Sequence, residues 1–320
     1  MKKRFKSACG LCFFFVIRGA ERLLSVRVLH GILNAFAFVR AGVNTTFKKI
    51  EPLPLLPEFL RSPRTRRAAR QFRQNHYLGQ CLRHFPDRLA EAKWMNGCEF
   101  EGLDRLRQAR ESRRPIVLTF CHFGPYFLLP FWLRATGAPA AALLGGNAAK
   151  RTGLLRLQNR FCPFPKIPTA VYQDQLRQAA EFVAAGKPLL VSFDTPVGKW
   201  MSVPWDGDWT FQMATHAMRL AVRHRAELIP CSITDLGRWR FRIRLGRPVP
   251  DELLATDAGR VRAGKHLLDE MLPVFQAHPE QAAAHFMRCW KRNSPGAEQR
   301  MSEVFTTHRP GMPLPQAATG

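Results

Sequence analysis

Acidic residues are scarce in this chain. There are 24 Asp and Glu against 49 Lys and Arg, a formal net charge of +25 over 320 residues. Such a deficit argues against cationic partners and for an anionic one: nucleic acid, anionic lipid headgroups or an acidic carrier protein. Metal-binding cysteine spacing is also missing. The eight cysteines are scattered, and only Cys9 and Cys12 form a C-x-x-C, with no second pair to complete a zinc site. Several others lie within apolar runs, which reads as buried thiols in a reducing compartment. No uninterrupted apolar run reaches the ~20 residues of a simple membrane span. No small-x-small cleavage site follows the apolar run Leu11–Ile17, which weakens a signal-peptide reading. Internal repeats are absent, and no zinc, RNP or helix-turn-helix pattern supports nucleic-acid binding.

What is present divides the chain into four parts. Residues 1–50 form a basic, apolar helical segment, with Lys2, Lys3, Arg4 and Lys6 ahead of the first apolar run. Leu23–Val39 is apolar except for Ser25, Arg27, His30, Gly31 and Asn34. Arg27, His30 and Asn34 share one helical face, leaving a polar stripe on a greasy helix. A helix lying in the membrane interface fits this pattern; a core helix and a tilted span are the alternatives. Residues 51–75 form a connector. Pro52, Pro54, Pro57 and Pro63 keep Glu51–Pro63 extended. Arg61, Arg64, Arg66, Arg67, Arg70 and Arg73 follow, and Arg66, Arg70 and Arg73 share a face if helical. Phosphate contact and a plain solvated face both account for them.

Residues 76–292 form the main domain, in which strand and helix patterns alternate from about residue 100. Strands are expected at Pro115–Phe120, Pro139–Leu144, Pro188–Phe193, Leu228–Ile233 and Arg240–Leu245. The last alternates strictly, with Phe241, Ile243 and Leu245 on one face and Arg240, Arg242 and Arg244 on the other. Helices are expected over Arg151–Arg160, Gln173–Ala185, Trp209–Arg225, Gly259–Phe275 and Pro279–Lys291. The alternation implies an α/β fold with a mainly parallel central sheet flanked by helices. Residues 293–320 are Pro/Gly-rich and read as a loose tail.

The stretch Pro115–Phe127, PIVLTFCHFGPYF, organises the functional reading. A buried strand ends at Cys121-His122-Phe123-Gly124-Pro125, and a new apolar segment follows. His122 therefore stands at the carboxyl end of a strand, where open α/β sheets bind ligands. A histidine capping a turn is the structural alternative. Cys121, its neighbour, points elsewhere from a strand end and is a weak nucleophile candidate. Gly145-Gly146-Asn147 and Asp194-Thr195-Pro196 end two further strands. If the three strands are neighbours, one rim carries a base, glycine N–H groups and a carboxylate.

The strand-His-Phe-Gly turn resembles the bacterial lipid A late acyltransferases (lauroyl and myristoyl transferases), part of the lysophospholipid acyltransferase superfamily. GKPLLVSFDTPVG, SVPWDGDWTFQMATHAMRLAVRHRAELIP and AHPEQAAAHFMRCWK are similar to further family blocks, in the family's order, across about residues 10–292. One departure stands out. The superfamily signature is His-x4-Asp/Glu, whereas here Phe127 follows His122 at that spacing, and no carboxylate lies in Cys121–Arg134.

The resemblance implies a glycerol-phosphate-acyltransferase-like fold with a membrane-associated N-terminal helix, at the cytoplasmic face of the bacterial inner membrane. It implies transfer of a fatty acyl group from acyl carrier protein or acyl-CoA to a hydroxyl or amine of an anionic membrane lipid or glycolipid. His122 would be the general base, and no cofactor, metal or nucleic acid is called for; a monomer is expected. Asp194 is the best substitute for the missing acid, with Asp206 and Asp208 next; a turn-forming aspartate is the alternative for Asp194. Gly124 suits close approach of backbone to substrate. Arg151 or Arg160 would meet phosphates of donor or acceptor, with Arg156 an equal candidate. The missing acid leaves a second reading: the same fold, catalytically degenerate, binding lipid or carrier protein.

Overall fold

The structure is a computed structural model that describes residues 15–47, 57, 66–82, 97–137, 140–142, 172–195, 199–205 and 207–292. At its centre is β2 (Ile116–Phe120), buried at every position. A strand with no solvent-facing side needs apolar residues throughout, and Ile-Val-Leu-Thr-Phe supplies them. Its one polar side chain, Thr119, donates its hydroxyl to the Val191 carbonyl at 3.0 Å.

Six strands make the main sheet: β1 (Cys98–Glu101), β2, β3 (Ala141–Ala142), β4 (Leu189–Ser192), β7 (Glu227–Gly237) and β8 (Arg240–Leu245), in the order β1-β8-β7-β2-β4-β3. Every neighbouring pair is parallel except the β7–β8 hairpin. Helices cover both faces. On one side lie α1 (Val26–Phe47), α2 (Arg66–Leu82), α3 (Leu103–Glu111) and α4 (Leu129–Ala135), contributing Leu29, Leu33, Leu78, Leu106, Leu129 and Trp132 to one core. On the other lie α5 (Tyr172–Ala184), α6 (His216–His224) and α7 (Asp257–Ala277), with Val183, Met218, Ala221, Leu267 and Phe275 in a second core. The α/β expectation with a mainly parallel sheet is met.

A second sheet was not legible. It is antiparallel, in the order β5-β6-β9, built from β5 (Trp200–Pro204), β6 (Trp209–Ala214) and β9 (Trp290–Arg292). Trp209–Arg225, expected to be helical throughout, is therefore half strand, and α6 begins only after Thr215. Pairing across a long sequence separation decides this: Phe211 faces Val203 on one side and Trp290 on the other. Pro279–Lys291 is likewise not one helix. It is a 3-10 turn (Pro279–Gln281), then α8 (Ala284–Cys289), then β9. Arg151–Arg160, the Gly145-Gly146-Asn147 turn, most of Glu51–Pro63 and the 293–320 tail lie outside the described residues.

Helix α1 packs on one side only. Leu29, His30, Leu33, Ala37 and Ala41 are buried, whereas Val28, Ile32, Val39 and Val43 are at least half exposed. By length and composition this helix can cross a membrane. Its buried face is nevertheless pinned to the domain: His30 Nε2 meets the Asp235 carboxylate of β7 at 3.2 Å. On β8 the basic outer face is partly neutralised. Arg242 pairs with Glu99 at 2.8 Å and with Glu101 at 3.2 Å, both on the neighbouring β1.

Glu270 of α7 is a buried carboxylate held by Arg247, which gives it a side-chain hydrogen bond at 2.6 Å and a backbone one at 3.0 Å. Burial alone would raise its carboxyl. The Arg247 hydrogen bonds and charge, helped by His266, more than offset this and hold it below the usual glutamate range. A lowered carboxyl binds fewer protons folded than unfolded, so its stabilisation is full above the unfolded value of about 4.3 and is lost as pH falls through the folded value. Urea unfolding of Glu270→Gln and wild type should therefore differ at pH 6 and converge as the pH drops below 4.

Candidate active site

The last registered pair of β2 and β4 is Phe120 with Ser192. Two residues further along each strand stand His122 and Asp194. Parallel neighbours in register point alternate side chains to the same face, so the ring and the carboxylate meet. His122 Nδ1 lies 2.7 Å from Asp194 Oδ1, and the His122 backbone N–H donates to Oδ2, also at 2.7 Å. Both carboxylate oxygens thus serve one residue, reached across 72 positions of sequence. Asp194 is fully buried, and the His122 side chain keeps 16% of its surface.

A carboxylate only accepts, so the facing Nδ1 carries the ring proton and Nε2 keeps its lone pair. Around the imidazole stand Tyr126, with its ring edge-on at 4.4 Å between centroids, Phe120 at 6.1 Å and His285 at 5.2 Å. The arrangement can hold a histidine in one tautomer and one orientation, which is what a proton-transferring base requires.

The carboxyl-terminal turn supports this geometry. Gln281 accepts the Gly124 N–H on its carbonyl at 2.9 Å, and Ala283 donates its N–H to the His122 carbonyl at 2.9 Å. The Gln281 side chain bridges to β7, accepting from the Asp235 N–H at 3.0 Å and donating to the Asp235 carbonyl at 2.7 Å. Helix α2 joins through Asn75, whose amide donates to the Glu280 carbonyl at 3.0 Å.

No family model matches the chain, and no curated protein does. Among solved structures it is similar to the crystal structure of the 1-acyl-sn-glycerophosphate (LPA) acyltransferase PlsC from Thermotoga maritima. Identity is 16% and the TM-score 0.38, over 78% of this chain and 98% of that chain. A likeness of that size leaves the chemistry to this chain's own residues.

Of the sequence candidates, the structure brings His122, Asp194 and Gly124 together. Gly124 has φ +58°, and a Cβ there would lie 2.0 Å from the Ile233 carbonyl oxygen. Its close approach is thus to the protein's own backbone, and its N–H is already taken by Gln281. Arg151, Arg156 and Arg160 lie outside the described residues, as does Asp206. Asp208 is exposed and pairs with Arg292 at 3.4 Å. Phe127 occupies the position where the superfamily carboxylate would stand. It packs on α2 instead, its ring 3.3 Å from where a Gly79 Cβ would be.

Cys121 is no nucleophile. It is 2% exposed, and burial, then the charge of Asp194, push its thiol well above the ordinary range. Cys289 is buried too, its thiol pushed up to about 12 by burial and Asp194, and its Sγ donates to the Asp194 carbonyl at 3.2 Å. Sequence reasoning missed Tyr126, His285 and Gln281 as neighbours of the site. Only Gln281 carried a signal, within the Pro-Glu-Gln block.

Gly124→Ala should lower the thermal unfolding midpoint, with backbone strain alone costing about 1–3 kcal/mol. Circular dichroism melting checks this, and an unchanged midpoint would contradict the crowding at Ile233.

Proposed function

We propose that this chain is a lipid acyltransferase in which His122 is the general base and Asp194 its orienting carboxylate. The observation that carries the reading is the doubly bonded His122–Asp194 pair at a strand-end rim. The missing acid of the His-x4-Asp/Glu pattern was the ground for a catalytically degenerate reading. Asp194 supplies a carboxylate from the neighbouring strand, with the geometry that fixes a tautomer.

The step is acyl transfer from a thioester of acyl carrier protein or CoA to a hydroxyl or amine of a lipid or glycolipid. Nε2 of His122 takes the proton of the acceptor as its oxygen or nitrogen bonds to the acyl carbon. The C–S bond then breaks, and the imidazolium returns the proton to the departing thiolate. Asp194 stabilises the imidazolium in between without itself being protonated. The net charge of +25 suits an acidic donor carrier and an anionic lipid acceptor. The exposed apolar face of α1 supports an interfacial position on a membrane, and the cytoplasmic face of the inner membrane is the side on which such thioester donors are met. No cofactor is needed for this chemistry.

Free-thiol release from acyl-CoA or acylated carrier protein, with a lipid-extract acceptor, tests the mechanism. His122→Ala should abolish transfer. Asp194→Asn should lower turnover by up to about ten-thousandfold, as loss of the orienting carboxylate does in a serine-protease triad. Wild-type turnover in folded His122→Ala protein would reject the assignment.

A further inference from the structure

Helices α1 and α2 hold between them arginines that the acyl-transfer chemistry does not use. On α2, Arg70, Arg73 and Tyr77 recur at helical spacing on one flank. Gln74, on the same turn, donates to Asn34 of α1 at 2.7 Å, so this flank faces the first helix. The Arg70 guanidinium lies 3.5 Å above the Phe38 ring of α1 and against Gly42, where an added Cβ would meet Nη2 at 3.0 Å. Arg40 of α1 lies over the Tyr77 ring at 4.5 Å, adding a third cation to the same seam.

Two features make this seam unusual. Arg70 Nε and Arg73 Nη1 are shut off from solvent with no hydrogen-bond partner, although both side chains are only half-buried. Neither arginine forms an ion pair with a carboxylate among the described residues. A guanidinium dried on one edge loses hydration there, which for Arg70 the Phe38 ring offsets only in part, and native structures rarely leave such a cost uncompensated. Like charges on one helix flank add repulsion. An anion at the open edges of the two guanidinium groups, bonded to their solvent-facing nitrogens, compensates the poorly hydrated charge and the repulsion, and partial burial strengthens its pairing. The planar five-donor fork of arginine fits the tetrahedral oxygens of phosphate.

We propose that Arg70 and Arg73, with Arg40 beside them, form a phosphate-binding cradle between α1 and α2 that takes the phosphate of a phospholipid headgroup. The lipid source is favoured by what adjoins the cradle. The same α1 exposes Val28, Ile32, Val39 and Val43, an apolar face of the kind that rests among acyl chains while cations meet headgroups. The cradle also shares α2 with Asn75, which holds the Glu280 carbonyl beside the His122 turn. Binding there requires no acyl transfer, so it stands or falls separately from the role of His122.

The test uses the full chain and galactolipid vesicles doped with phosphatidic acid or, at matched surface charge, with oleate. Wild type should bind the phosphatidic acid vesicles about tenfold more tightly, the scale of one charge-assisted hydrogen bond. Arg70→Gln and Arg73→Gln should each lose most of that preference. Arg223→Gln, an equal charge loss at an exposed position of α6, should keep it. Inorganic phosphate, against chloride at equal ionic strength, separates the sources through the wild-type melting temperature, which needs no variant. A rise with phosphate but no vesicle preference would retain the site and overturn the lipid as its occupant. Neither effect in wild type, or both persisting in the Arg70→Gln/Arg73→Gln double variant, would overturn the cradle.

Discussion

The contact between the His122 ring and the Asp194 carboxylate depends on the register of two parallel strands. Phe120 and Ser192 are paired, and His122 and Asp194 each lie two positions beyond. A slip of one residue would turn one of the side chains to the opposite face of the sheet. Register is in turn fixed by burial, because β2 and β4 alternate their apolar residues between two cores that cannot exchange occupants. The precision of the site is therefore inherited from the middle of the sheet. The backbone N–H of His122 adds a second tether to the same carboxylate, restricting main chain and ring together.

Helix α1 and the turn at Gln281 converge on this centre through Asp235. Its carboxylate faces His30 of α1 and also accepts the Gly237 N–H, while its backbone N–H and carbonyl both bond the Gln281 side chain. Gln281 then holds Gly124 through its own carbonyl. Three segments distant in sequence are thus fastened around one residue of β7. Satisfying all of these polar groups matters because they are partly or wholly withdrawn from water, where an unmet donor or acceptor is costly.

The middle of the central sheet was legible because its strands are buried on both faces and read as short apolar runs, as in Pro115–Phe120; β1 was not, being short, half exposed and carrying two glutamates. The half-exposed β8 was legible from strict alternation. The antiparallel second sheet was not, since Trp209–Ala214 shows no clean period and is fixed by partners far along the chain. The last segment misled for a related reason: Pro279–Gln281 bends to serve the His122 turn rather than to continue a helix. At the site, His122 stood out by its place after a buried strand. Asp194 could be nominated by position, but its superiority over Asp208 follows only from register, which no local pattern encodes. Phe127, conspicuous as a missing acid, is explained by its packing on α2 at Gly79.

The His30–Asp235 pair has a consequence for how such a protein can be handled. Trimming the chain through α1 to obtain a shorter fragment would do more than remove a greasy appendage. It would uncover the ring of Trp239, which His30 meets edge-on, and leave the Asp235 carboxylate without its imidazole partner. Helix α1 is a wall of the α/β domain, so shortened fragments would report on a damaged enclosure rather than on the intact chain.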